Sequence, residues 1–347
     1  MAADIPYPRF FHTLGVERDR PQGCLGGVLV PVYETHARHM TITATEAVIA
    51  RLSTGARSFS VAEARRAGLD HRRLTRLVAA GQLVRLAPGQ YAMSQPDESS
   101  YDHHVRRTKA LLHRLGASAV ASHHSALALA RLPLVDADLR TVHLTYRRGR
   151  ARHSRSGYVL HPAGGRPLAD DEMSVTVADA LVGAGLVGSR RTVLVAGDAA
   201  LASGLTDAPA LVEALDRRRG TNGIVAVRAA LAALDPRSES PGESLCRDDL
   251  IAAGFDIEVQ PTIHCRGRAL RSDFRIRGSR VLVEFDGMGK YQQASDVRSE
   301  KDREEKLRAD GWIIVRFMWQ DLGNLEEIRR RVEWALASEP APRPARR

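Results

Sequence analysis

Cysteine is scarce: Cys24, Cys246 and Cys265 are the three in 347 residues. An odd, widely spaced set with no CxxC or Cys/His pattern rules against a disulfide framework and a sequence-legible zinc site. A reducing, cytoplasmic setting is expected. Long apolar runs are also missing, so no segment reads as a bilayer span and no membrane partner is expected. The N-terminus lacks the basic flank and apolar run of a secretory signal. Residues 1–40 show no periodicity and are expected to form a poorly structured leader, with Met40 as an alternative start. Aromatic residues make up only 5% of the chain. Trp312, Trp319 and Trp334 are expected in a core or interface, not as base-stacking platforms.

Positive charge is plentiful. There are 51 Lys and Arg against 41 Asp and Glu, a formal net charge of +10. This balance favours a polyanionic partner, most simply double-stranded DNA. A generally arginine-rich composition is the plainer alternative. At 347 residues the chain is long enough for two or three domains.

Residues 41–95 carry the order helix, helix, helix, hairpin. Ser60 and Glu63 form a capping box before the second helix. In the third, Leu74, Leu77 and Val78 share one face, and Arg72, Arg73 and Arg76 lie opposite. LVRLAPGQYAM turns at Pro88-Gly89 and carries Arg85. That order is the one of a winged helix-turn-helix, whose third helix enters the major groove. A solvated basic face is the bland reading of the arginines.

Residues 96–235 alternate helical and strand patterns, an α/β middle region. SHHSALALARL is expected as a helix capped by Ser122, with His123 and His124 as packing or surface residues. TVHLTY and GYVLH are expected as strands around a basic loop or long hairpin, Arg147 to Arg155. DPRSESPGES is expected as a linker.

Residues 236–338 begin with a second capping box, Ser240-Pro241-Gly242-Glu243. The predicted order α-β-β-β-α-β-α gives a mixed sheet flanked by helices. Within it, LRSDFRIRGSRVLVEFDG is a hairpin turning at Gly278-Ser279. Its register sets Phe274 opposite Val283 and Asp273 opposite Glu284. Phe274, Ile276, Val281, Val283 and Phe285 then share the apolar face, and Asp273, Glu284 and Asp286 the other. Opposed carboxylates require a cation, either Arg271 or Arg275 or a hard metal ion such as Mg²⁺ or Mn²⁺. Residues 339–347 read as a basic, disordered tail.

ESPGES, the Asp273 strand, VEFDGMGKY, SEKDREEKLRADGW and VRFMWQDL resemble the domain related to very-short-patch-repair endonucleases. That domain belongs to the restriction-endonuclease-like PD-(D/E)xK group. RLVAAGQLVRLAPGQYAM, ASHHSALALARLPL and RRTVLVAGDAAL resemble the AbiEi-type antitoxins of type IV toxin–antitoxin systems. The first resemblance implies Asp273, Glu284 and Glu243 as ligands of Mg²⁺ or Mn²⁺. Asp286 stands where the family's lysine is usual, and Lys290 or Lys301 would take its role. The second implies a transcriptional regulator with a cognate toxin as partner. Three functions follow as expectations: an antitoxin-like DNA-binding regulator, a metal-dependent DNA endonuclease, or a catalytically silent nuclease-fold binding module. The fold class expected is a multidomain α+β and α/β protein.

Overall fold

Ser60 opens the first well-defined helix as the sequence predicts. In the computed structural model, its Oγ accepts from Glu63 N at 3.2 Å and Glu63 Oε2 accepts from Ser60 N at 2.6 Å. The described residues are 48–49, 58–149, 151–163, 168, 172–265, 268–287 and 294–339, with backbone alone over 294–301. The expected leader, Met40, Lys290 and most of the basic tail lie outside them. The chain divides into two compact units, Met1–Arg114 and Leu115–Arg347. Among the described residues no helix is long and apolar enough to cross a membrane.

The first unit contains β1 (Phe59–Ser60), α1 (Val61–Arg66), α2 (His71–Ala79), β2 (Leu83–Ala87), β3 (Gln90–Met93) and α3 (Ser100–Leu115). The strands form an antiparallel sheet in the order β1-β3-β2. Phe59, Ala64, Leu69, Leu74, Leu83 and Tyr91 make its core together with Ile49. The first compact unit runs past residue 95 to Arg114. Arg106 on α3 donates to Met93 O at 2.5 Å and pairs with Glu98 at 2.9 Å, while Ala110 packs on Leu86 and Ala92. These contacts tie α3 to the hairpin before it.

The second unit starts with β4 (Ala119–Ala121), α4 (His123–Leu129), β5 (Val142–Tyr146), β6 (His153–Arg155) and β7 (Tyr158–His161). Its sheet runs β4-β5-β7-β6. The two strands flanking the basic stretch do not make a hairpin: β5 and β7 are parallel, and the basic stretch supplies β6, antiparallel to β7 at the sheet edge. A parallel pair needs a crossover, and the chain reverses through β6 to provide one. Exposed Arg152, His153 and Arg155 suit an edge, because charge discourages pairing with a further strand. Four helices follow: α5 (Val177–Val187), α6 (Arg190–Ala202), α7 (Ala208–Arg217) and α8 (Ile224–Ala232). Helix α5 is apolar nearly all round and largely buried, as such a helix must be.

The chain continues through α9 (Pro241–Ala252), β8 (Ile257–Val259), β9 (Thr262–Cys265), β10 (Arg268–Arg271), β11 (Phe274–Ile276), β12 (Val281–Phe285), α10 (Ala294–Ala309), β13 (Ile313–Phe317) and α11 (Leu325–Ala337). The sheet order is β13-β12-β11-β8, with β12 and β13 parallel across α10. Phe274 pairs with Val283, the register expected from alternation. Phe274, Ile276, Val281, Val283 and Phe285 pack against α9 and α11. On the other face Leu282 packs with Ile263, Cys265 and Leu307. Ile263 and Cys265 come from the β9–β10 hairpin, which the sequence pattern did not announce. The linker-like DPRSESPGES, residues 235–244, runs directly into α9. Arg247 on α9 pairs with Asp198 on α6 at 2.7 Å, both buried.

Candidate functional site

Helix α2 holds the first predicted constellation. Asp70 caps it, accepting from Arg73 N at 2.7 Å, and this sets the helical phase. Leu74 is buried in the unit's core while Arg72, Arg73 and Arg76 are exposed. Arg85 is exposed on β2. The four cations therefore lie at the surface of one unit, the first three on one helix.

The carboxylates of the C-terminal sheet form the second. Glu243, near the start of α9, is 4% exposed. Its Oε1 accepts from Ser240 Oγ at 2.8 Å, and its Oε2 from Glu239 N and Gln260 Nε2, both at 2.9 Å. The capping box thus forms with a variation: the carboxylate reaches Glu239 N instead of the N-cap amide. Gln260 also donates its backbone N–H to Asp273 O at 2.8 Å. Asp273 Oδ2 in turn accepts from Phe285 N at 2.7 Å. This chain of bonds links Glu243 through Gln260 to Asp273 and on to Phe285, the neighbour of Glu284 in β12. Gln260 was missed by sequence reasoning. Its left-handed backbone, φ 53°, is uncommon for a side chain of its size, and no local pattern signals it.

Glu284 has its cation, but neither of the two expected. Arg271 pairs with Glu239, and Arg275 donates to Ser279 O and lies over the Trp312 ring. The partners of Glu284 are Arg303 on α10, at 2.6 Å, and Arg316 on β13, at 3.5 Å. Arg316 stands beside Glu284 in the parallel register, a neighbour only the crossover creates. Asp286 is half-buried and extends the ladder through its N–H to Phe317 O at 2.8 Å. Lys290 and the side chains of Glu300 and Lys301 lie outside the described residues. Trp319 packs edge-on to Phe285, Trp312 lies under two arginines, and Trp334 is exposed.

A third constellation gathers His123 and His124, expected as packing or surface residues, with two further histidines. His123, His124, His143 and His161 are all buried. In the β5–β7 register His143 faces Val159 and Thr145 faces His161, so both histidines project from one side of the sheet. Helix α4 lies on that side. Ser122 does not cap it with its side chain as expected; Ser122 Oγ lies 2.9 Å from His123 Nδ1 instead. His143 Nδ1 and His161 Nε2 are 2.9 Å apart. His123 stacks on His161 with ring centroids 3.9 Å apart. Gly183 on α5 permits the approach, since a Cβ there would lie 3.1 Å from the His123 ring.

Burial pushes His123 well below the usual imidazole range, and neighbouring histidines and Arg218 push the same way. Burial lowers His124 as well. His161 falls to about 4 through burial, then Arg152 and Arg218. The unfolded chain takes up these protons near 6.5, so stability is full above that pH and is lost as pH falls towards 4. For His161 alone the loss is at most on the order of 3 kcal/mol. Thermal melts between pH 7 and pH 4 should show this decline, and replacing His161 by Gln should flatten it.

The model of the family described as transcriptional regulator, AbiEi antitoxin, matches residues 46–94, the segment that carries Arg72, Arg73, Arg76 and Arg85. Two Mycobacterium tuberculosis proteins are similar over a longer stretch: the uncharacterized protein MT2308 of strain CDC 1551 / Oshkosh and the uncharacterized protein Rv2248 of strain ATCC 25618 / H37Rv. Each is 31% identical over 256 residues, which covers 70% of this chain and 88% of theirs. At that identity and coverage the chain belongs to the family of these two mycobacterial proteins, and its residues 46–94 match the AbiEi antitoxin regulator model.

Proposed function

We infer that this protein is an antitoxin-like transcriptional regulator that binds double-stranded DNA through a winged helix-turn-helix and carries a nuclease-fold C-terminal region without cleavage activity. The observation that carries the reading is the row of exposed Arg72, Arg73 and Arg76 on a helix whose other face is buried at Leu74. The order α1-α2-β2-β3 with a three-stranded sheet supports the winged arrangement, with Arg85 on the wing. Arginine in the major groove grips guanine edges or phosphate. A cognate toxin is the protein partner this reading implies.

A sheet of order β13-β12-β11-β8 with one parallel crossover supports a nuclease-like fold. Its carboxylates fit a dication poorly. Arg303 and Arg316 neutralise Glu284, while Glu243 is engaged by Ser240, Glu239 and Gln260. A Mg²⁺ or Mn²⁺ ion on Asp273, Glu284 and Glu243 is the alternative, and it requires Glu284 to release both arginines.

Two measurements separate these readings. Replacing Arg72, Arg73 and Arg76 together by Ala is expected to weaken binding to the protein's own promoter DNA about a hundredfold, at roughly 1 kcal/mol or more per lost contact. The salt dependence of binding should become shallower. Unchanged affinity and unchanged salt slope would remove the reading. Incubation of wild-type protein with supercoiled plasmid and Mg²⁺ or Mn²⁺ is expected to leave the plasmid intact. Nicking that Asp273→Ala and Glu284→Ala both abolish would install the endonuclease in its place.

A further inference from the structure

We propose that His123, His143 and His161 form a binding site for one transition-metal dication of the zinc class. Each contributes one ring nitrogen, and the three nitrogens lie within 4.8 Å of one another. Among the described residues this is the trio of candidate ligands that converges so closely; the C-terminal carboxylates do not. A tetrahedral zinc ion with Zn–N bonds of about 2.0–2.1 Å holds its nitrogens roughly 3.3 Å apart. His143 Nδ1 and His161 Nε2, at 2.9 Å, are already close to that spacing. They share a hydrogen bond that a metal would replace, with an opening of a few tenths of an ångström. His123 must turn about its Cβ–Cγ bond to leave its stack on His161. The ring lies against Gly183, where a Cβ would come within 3.1 Å of it.

The chemistry of the set is specific. Three imidazoles with no carboxylate select zinc, copper, nickel or iron and disfavour magnesium and calcium. Ligation requires neutral rings. Beside His123 lies a cavity of about 20 Å³ whose wall also includes Ser122, Thr145, Val175, Asp179 and Arg218. Such a volume holds about one water. Arg218 opposes a bare cation there and favours an anionic fourth ligand such as hydroxide. Asp179, on the same wall, offsets some of that charge. Ser122 Oγ, beside His123 Nδ1, would orient the ring from behind when Nε2 is the ligand. None of these groups takes part in the DNA-binding reading, so the site stands apart from it.

The test uses the full chain, stripped with a chelator and titrated with Co²⁺ as a visible stand-in for zinc. The expected result is one Co²⁺ per chain, with the intense ligand-field absorption of a tetrahedral site and displacement by one equivalent of Zn²⁺. His143→Gln and His161→Gln should each lose the band. Asp273→Ala should keep it, because carboxylates are not the ligands. His161→Cys keeps a ligand at the same place and should add a sulfur-to-cobalt charge-transfer band. That gain cannot come from misfolding. The proposal is overturned by a folded wild-type protein with no ligand-field band at excess Co²⁺. It is equally overturned by an undiminished band in the His143→Gln/His161→Gln double variant. A His161→Cys protein that is folded by circular dichroism yet lacks the charge-transfer band also ends it.

Discussion

Arg247→Ala is expected to destabilise the second unit by about 3–5 kcal/mol. Arg247 is buried and engaged at all three guanidinium nitrogens. Nη2 meets Asp198 Oδ2 at 2.7 Å, Nη1 donates to Ala233 O at 2.6 Å, and Nε to Ser238 Oγ at 3.2 Å. Asp198 is 1% exposed and also accepts from Asp235 N at 2.7 Å. Burial raises the Asp198 pKa, and Arg247 is the main force opposing that rise. Removing the arginine leaves a buried carboxylate without its countercharge, together with an orphaned carbonyl. The loss is a large share of the roughly 5–15 kcal/mol that holds a domain folded. Urea denaturation of Arg247→Ala, Asp198→Ala and the double variant would measure it. The double variant should lose less than the sum of the singles, because removing both charges leaves neither stranded. Simple additivity would mean that the pair does not join α6 to α9.

Gly242→Ala is the second large effect, and its sign opposes helix propensity. Alanine is a better helix former than glycine by about 1 kcal/mol in a helix interior. Here its Cβ would lie 1.9 Å from Phe285 Cε1 and 2.4 Å from Cδ1. Phe285 is 4% exposed and sits edge-on against Trp319, with centroids 5.4 Å apart. With the ring buried, the contact can be relieved only by a shift of Phe285 or of α9. Overpacking of this kind costs about 1–3 kcal/mol, and a contact this short belongs at the upper end. The shift also reaches the carboxylates: Glu243 follows Gly242 in the chain, and Phe285 N holds Asp273. Chemical denaturation should show a loss of about 3 kcal/mol. Phe285→Leu in the same chain should recover some of it, because the smaller side chain vacates the clash. A Gly242→Ala protein as stable as wild type would mean that the contact relaxes freely.

Local patterns in this chain are reliable guides where the partners lie three or four residues apart or alternate along a strand. Ser60 and Glu63 cap α1 because N-cap and N3 meet whatever surrounds them. Arg72, Arg73 and Arg76 are exposed because Leu74 fixes which face of α2 is buried. The Phe274–Val283 pairing follows from alternation and a two-residue turn. A charge pattern also announced that Glu284 needs a cation, although not which one.

Those features needed only helix pitch, strand alternation and turn chemistry, and the residues themselves supply all three. The partners of Glu284 depended on more. Arg303 and Arg316 lie 19 and 32 positions along the chain, and α10 and the parallel strand β13 bring them back. The packing of α3 onto the hairpin before it, and the Arg247–Asp198 pair beside the linker-like 235–244, likewise depended on the tertiary structure. The histidines were the least legible of all. His123, His143 and His161 share no local period, and the parallel pairing of β5 with β7 beneath α4 is what gathers them. Contacts set by spacing are decided as soon as a helix or strand forms. Contacts set by crossovers exist only once the sheets have closed.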